Sequence, residues 1–326
     1  MFRKFFYLTV LIALLLAGCG PASNPTEAPA PVSTEAPAVE ATEAPAVNES
    51  AITLVDGLGR DVVMDAPAQR IVSLAPSNTE ILFALGAGSQ VVGRDSFSDY
   101  PAEALSVTDI GATYEALNTE LIVSLKPDLI LLAEVNAAEQ VKTLEDLGLT
   151  VYYLKNPTTL EEMYANLEIV AQLTGRQPEA AELIESLKAR VAAVDEKIMP
   201  LSSRLSIFYE IDATDPAKPY TAGKGTFITL LIDRAGGYNI AADLDGYPQL
   251  SLEQVVAADP MFIILGDSAY GVTPESIATR PGWENLSAVK NNQIFPFDDN
   301  LVSRPGPRLV DGLEALAKLL RPGLFE

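Results

Sequence analysis

Ile52-Thr53-Leu54-Val55 alternates apolar and polar positions, turns at Asp56-Gly57, and resumes at Val62-Val63-Met64, the pattern of a β-hairpin. A short apolar run, Arg70–Leu74, then ends at Pro76 and predicts a buried strand. Ser77-Asn78-Thr79-Glu80 has the spacing of a capping box, with Ser77 as N-cap and Glu80 three residues on. Ile81, Leu82 and Leu85 give the following helix an apolar face, and Gly86 closes it. The strand–helix alternation repeats. Strands are expected at Val91–Gly93, Leu129–Leu132 and Val151–Leu154, with helices at Glu120–Leu125 and Ala138–Leu147. Alternation of this kind argues for a parallel sheet covered on both faces.

A different pattern follows. Thr159–Leu173 reads as one helix ended by Gly175, and Pro178 opens a longer one to about Ile198. Apolar Ala181, Ile184, Leu187, Val191, Val194 and Ile198 keep helical spacing along it, and Pro200 stops it. Strands then return at Leu205–Tyr209, Met261–Leu265 and Gln293–Phe297. Helices are expected at Thr226–Ala235, Leu252–Ala258 and Gly306–Leu320. The layout is two α/β lobes joined by one long helix. Ligands of open α/β sheets bind outside the carboxyl ends of the strands, so two facing lobes make a cleft.

The first fifty residues break every one of these periods. Arg3 and Lys4 precede an apolar run, Phe5–Ala17, that is shorter than a membrane span but suits a signal peptide. Pro21–Ser50 is built from Pro, Ala, Glu and Thr, repeats TEAPA, and has no aromatic residue. Such a segment cannot bury a core and reads as an extended tether. The boundaries expected are 1–19 for the signal, 20–50 for the tether, 51–176 for the first lobe, 177–200 for the interlobe helix and 201–326 for the second lobe.

Composition narrows the chemistry. The chain holds 22 basic and 44 acidic residues, a net charge of −22, of which −19 falls after residue 50. That excess argues against nucleic acid, which needs clustered Lys and Arg. The chain lacks histidine, which excludes His-metal sites and imidazole triads. Its single cysteine excludes an internal disulfide. Gly86-Ala-Gly88-Ser-Gln-Val91 lacks the last glycine of a dinucleotide fingerprint. Gly223-Lys-Gly225-Thr226 lacks the rest of a phosphate loop and reads as a turn into a helix. Asp298-Asp299 reads as a solvated or capping pair, and Trp283, after Pro281-Gly282, as a packing residue. No enzyme motif survives, and no resident cofactor or metal is expected.

Two resemblances sharpen this. Leu16-Ala-Gly-Cys19 resembles a bacterial lipobox, which implies that Cys19 becomes the lipid-bearing first residue of the mature chain. Arg70–Glu80, Ala84-Leu-Gly86, Ser98-Asp-Tyr-Pro101 and Leu117-Asn-Thr-Glu120 resemble the first lobe of periplasmic cobalamin-binding proteins. Tyr220-Thr-Ala-Gly-Lys224, Gly236-Gly-Tyr-Asn-Ile240, Ser251-Leu-Glu-Gln-Val255 and Pro305-Gly-Pro-Arg308 resemble the second. The resemblance covers about Ile52–Leu320 and places the chain in the helix-hinged class of substrate-binding proteins of ABC importers, class III, with two Rossmann-like lobes.

That class serves corrinoids, ferric siderophores and haem. It implies a monomeric, extracytoplasmic receptor, anchored here through Cys19, that passes its cargo to a permease dimer driven by ATPase subunits. Positions matching cobalamin contacts are Tyr100, Tyr114, Tyr247, Tyr220, Tyr209, Asn300 and Arg304. Tyr114 and Tyr247 stand where the family often has Trp. Glu120 and Glu253 match the acids that meet permease arginines, and both also suit helix N-termini on dipole grounds alone. The absence of His weighs against zinc and manganese cargo, and the −19 charge against anionic siderophores. A corrinoid is the expected cargo, with ferric siderophore or haem as alternatives, and an enzyme or a surface-interaction protein more remote.

Overall fold

A hairpin opens the described chain, which comprises residues 51–113 and 116–326 of a computed structural model. Strands β1 (Ile52–Val55) and β2 (Asp61–Met64) pair antiparallel, with Ile52 opposite Met64. The first lobe follows as β3 (Ile71–Ser73), α1 (Pro76–Ala84), β4 (Val91–Arg94), β5 (Thr108–Asp109), α2 (Thr119–Ser124), β6 (Leu129–Ala133), α3 (Ala138–Glu145) and β7 (Val151–Leu154). Its sheet has the order β5-β4-β3-β6-β7 and is parallel throughout. Helix α4 (Leu160–Thr174) ends at Gly175, whose φ of 73° places it in the left-handed conformation that glycine adopts without strain.

Helix α5 (Gln177–Ile198) connects the lobes, and its 22 residues span about 33 Å at 1.5 Å per residue. Its buried stripe is Ala180, Ile184, Leu187, Val191, Val194 and Ile198. Ala181, expected on that stripe, is exposed, because Ala180 completes the four-three spacing and turns its neighbour outward. The second lobe then runs β8 (Leu205–Asp212), β9 (Tyr220–Thr221), α6 (Phe227–Arg234), β10 (Gly237–Asn239), α7 (Leu252–Ala258), β11 (Phe262–Leu265), α8 (Pro274–Ala278), α9 (Ser287–Lys290), β12 (Ile294–Pro296), α10 (Asn300–Ser303) and α11 (Leu309–Leu320). Its order is β10-β8-β11-β12, parallel, with β9 added antiparallel on β8, a departure from the all-parallel expectation.

The alternation along each strand decides where the cores lie. Ile71, Leu129, Leu131, Tyr152 and Leu154 of the first sheet share one hydrophobic core with the α5 stripe, with Ile207, Tyr209 and Ile264 of the second sheet, and with α6 and α11. The opposite strand faces feed separate cores. Val72, Ile130, Leu132, Val151 and Tyr153 belong to one; Phe208, Ile263 and Leu265 belong to the other, around Trp283. A core that is continuous through the connecting helix makes the lobes stiff toward each other, since dense interiors resist shear. Ion pairs reinforce the joint. Arg190 of α5 meets Asp311 and Glu314 of α11 at 2.5 and 2.8 Å, and Asp195 of α5 meets Arg234 at 2.6 Å.

Candidate functional site

The chain between β3 and α1 lies at the carboxyl end of the first sheet. Helix α1 begins two residues earlier than its capping-box spacing predicts: Ala75 is the N-cap, with no side-chain cap, and Pro76 opens the helix. Ser77 is therefore inside the first turn, and Glu80 makes no reciprocal bond to it. The Glu80 carboxylate turns to the second lobe. It accepts from Arg308 Nε at 2.8 Å and Nη2 at 2.5 Å, and from Arg304 Nη1 at 3.2 Å. Its side chain is 1% exposed, against 11% and 14% for the two arginines.

The helix expected from Gly306 explains how these arginines arrive. Helix α11 starts only at Leu309, since Pro305 and Pro307 supply no N–H and disfavour helical geometry in the residues before them. The bend and turn between α10 and α11 bring Arg304 and Arg308 across to α1. Arg304 Nη1 also donates to Asp99 at 2.6 Å, and the Arg308 guanidinium lies 3.9 Å over the Tyr100 ring. Burial pushes the Asp99 carboxyl up, but the Arg304 hydrogen bond and charge outweigh it and leave it below its usual range. One buried carboxylate and two arginines thus clasp the lobes together.

In the second lobe, a cavity of about 610 Å³ opens at the carboxyl ends of β8 and β11. It is lined by Asp212, Thr214, Gly266, Asp267, Tyr270 and Asp299, among others. Strand β8 is longer than its apolar pattern predicts, and this brings Glu210 inside the protein at 0% exposure. Glu210 is paired with Arg280, whose Nη2 donates at 2.7 Å, and Arg280 stacks 4.8 Å over Trp283. Trp283 is buried, edge-on to Phe208, and packs as its sequence context predicts. Asp267 lies next to Glu210. Burial and the Glu210 charge push its carboxyl up to about 7. It is 3% exposed, and neither carboxylate oxygen has a hydrogen-bond partner.

None of the expected ligand contacts lines this cavity, whose walls come from the second lobe alone. Tyr100 of the first lobe and Tyr247 and Tyr220 of the second keep substantial exposed surface. Burial and nearby Asp299 raise the Tyr247 phenol, which keeps it neutral. Tyr209 is fully buried, a correction to its expected role as a ligand face: its hydroxyl donates to Asp299 at 2.8 Å and holds that carboxylate at the cavity wall. Arg304 is likewise taken up by Glu80 and Asp99. Asn300 opens α10, its N–H capped by Asp298 at 3.1 Å. Tyr114 and Cys19 lie outside the described residues.

Glu120 and Glu253 occupy equivalent places. Each is the second residue of a short helix, α2 or α7, leading into the strand that pairs with its lobe's first strand, β6 with β3 and β11 with β8. Both are exposed. Hydrogen bonds from its own backbone N–H and from Ser251 hold the Glu253 carboxyl below its usual range. Gly223, in the loop before α6, is needed for close approach: a Cβ there would stand 2.1 Å from the Leu244 carbonyl oxygen. Thr226 then caps α6, accepting from the Thr229 N–H.

Glu80, Asp267, Tyr270 and the Glu210–Arg280 pair were not singled out as site residues in the sequence. Asp267 had one available signal, its place directly after a buried strand at the carboxyl edge of a sheet. Glu80 had none, because its partners lie 224 and 228 residues away.

Comparison with known proteins agrees with this architecture. The profile of the periplasmic binding protein family matches residues 71–301. An uncharacterized ABC transporter substrate-binding lipoprotein, YvrC of Bacillus subtilis, is 34% identical over 322 residues, covering 97% of this chain and 96% of its own. The vitamin B12-binding protein of Vibrio cholerae is 32% identical over 263 residues, 78% of this chain and 90% of its own. Among solved structures, the periplasmic heme-binding protein RhuT of Roseiflexus sp. RS-1 superposes with a TM-score of 0.70 at 28% identity, covering 79% of this chain and 99% of that one. The chain belongs to the periplasmic binding protein family.

Proposed function

We propose that this periplasmic binding protein, the substrate-binding component of an ABC transporter, captures a corrinoid between its lobes and delivers it to a permease. The observation that carries this reading is the combination of wide, flat, uncharged faces with an acidic wall. Tyr247 and the side of Tyr100 not covered by Arg308 offer ring surface on opposite lobes, and the second-lobe cavity is lined by Asp212, Asp267 and Asp299. A large ligand with apolar edges and amide donors suits such walls, whereas a polyanion does not. Likeness to the vitamin B12-binding protein supports the same cargo. Haem is the second reading, favoured by likeness to RhuT. It would need an axial ligand without histidine, and the raised Tyr247 phenol makes a poor phenolate donor.

In this reading Glu120 and Glu253 are the permease contacts, one per lobe. Cys19 carries the lipid that holds the receptor outside the membrane, the 20–50 segment serving as tether. YvrC, named a lipoprotein, supports the anchor. Calorimetric titration of the full chain with cyanocobalamin, a ferric hydroxamate and haemin tests the cargo. Tight binding of cyanocobalamin with weak or no response to the others is the expected result, and preferential haemin binding would overturn it. Radiolabelled palmitate should enter the wild-type chain and not Cys19→Ser.

A further inference from the structure

Among the described residues, the buried carboxylate without a partner stands out from every other acid of the cleft. Asp99 and Glu80 are matched by Arg304 and Arg308, Glu210 by Arg280, and Asp299 by the Tyr209 hydroxyl. Asp267 has both oxygens buried and unsatisfied, yet it lines the 610 Å³ cavity. A buried acceptor with no donor is costly unless something supplies one. No neighbouring side chain supplies an N–H. Glu210 of β8 faces it with a like charge and takes a hydrogen bond only from its protonated form, and Arg280 is bound to Glu210. Asp212 and Asp299 of the same cavity are acceptors themselves.

We propose that Asp267 is the cargo-recognition residue of the second lobe, and that it takes an N–H donor of the ligand, from a carboxamide or an ammonium group. This rests on the transport-receptor reading above and adds the ligand chemistry to it: amide-fringed or cationic cargo, with anionic cargo rejected by the same wall. Tyr270, 89% exposed at the cavity mouth, supplies an aromatic face beside the acid. Gly266 lets Tyr209 and Asp299 pack close beside it, since a Cβ there would meet the Tyr209 ring at 2.8 Å and Asp299 Oδ1 at 2.9 Å.

The proton makes the proposal measurable. An N–H donor holds Asp267 ionised, so cargo binding expels the proton that the empty site retains near neutrality. Affinity should therefore rise by up to about 30-fold between about pH 5.5 and pH 8.5. The experiment is calorimetric titration of the full chain and of Asp267→Asn with cyanocobalamin, with the cationic ferrioxamine B and with the dianionic haemin, at both pH values and in buffers of different ionisation enthalpy. Proton release at neutral pH that is present in the wild type and absent in Asp267→Asn separates recognition from a purely structural role. The carboxamide removes a repelled charge, so the variant should fold at least as well.

Cyanocobalamin binding that tightens with pH only when Asp267 is present supports both the assignment and the corrinoid reading. The same behaviour with ferrioxamine B alone supports the assignment and overturns the corrinoid reading. Cyanocobalamin binding with a flat pH profile, or an unchanged rise in Asp267→Asn, overturns the assignment and leaves the corrinoid reading standing. Haemin binding that tightens as pH falls, or binding of none of the three, overturns both.

Discussion

Replacing Glu80 with Gln keeps the size of the side chain and one acceptor oxygen but removes the charge that two arginines share. Glu80 is 1% exposed and Arg308 11%, so bulk water cannot restore what is lost. Arg304 retains its ion pair with Asp99 at 2.6 Å; Arg308, stacked on the Tyr100 ring, has Glu80 as its sole salt-bridge partner among the described residues. Breaking a buried ion pair from one side costs about 3–5 kcal/mol, because the remaining charge stays buried without compensation. For a folded part of this size each kcal/mol moves the unfolding midpoint by about 2 °C, so the midpoint should fall by about 6–10 °C in calorimetry. The companion variant Glu80→Gln/Arg308→Met should lose less than the sum of the two single changes, since it removes the stranded charge as well. The loss should also persist in high salt, which screens exposed pairs and reaches buried ones poorly. A midpoint shift below about 2 °C, or strict additivity in the double variant, would refute the idea that Glu80 clasps the lobes.

Charge reversal at both Glu120 and Glu253 to Lys should abolish transport in an uptake assay while leaving ligand affinity unchanged; a loss of affinity would show that the two acids serve the cleft instead. Asp267 makes stability depend on pH. The folded chain keeps a proton that the unfolded chain has already released, so stability should fall as pH rises from about 4 to about 7, by up to about 4 kcal/mol. Chemical denaturation across that range should show the slope in the wild type and its absence in Asp267→Asn. Trp283→Ala should cost about 3–5 kcal/mol, because the ring fills the second lobe's outer core and supports Arg280, and near-native stability in urea would contradict that packing.

Periodicity along the chain by itself determined the lobes. Strict alternation in Leu129–Leu132 and Val151–Leu154 fixes which side chains enter the shared core and which enter the outer one. The four-three stripe of α5 fixes the helix that joins them. Gly175, Thr226 and Ser251 punctuate helices where local geometry demands it, and one turn of chain is enough to decide such features. Local signals misled where a residue had a distant partner. Ser77-Asn78-Thr79-Glu80 has capping-box spacing, yet Glu80 answers arginines that approach from the far end of the second lobe. Tyr209 reads as one more cleft aromatic, yet chain closure buries it under Asp299. The acid that stands unpaired is set by the same closure. Asp267 is one of 44 acidic residues until β8, the segment after α8 and the turn after β12 surround it and exclude water. Secondary structure follows from interactions a few residues apart, whereas desolvation and charge pairing depend on which segments the folded chain brings together.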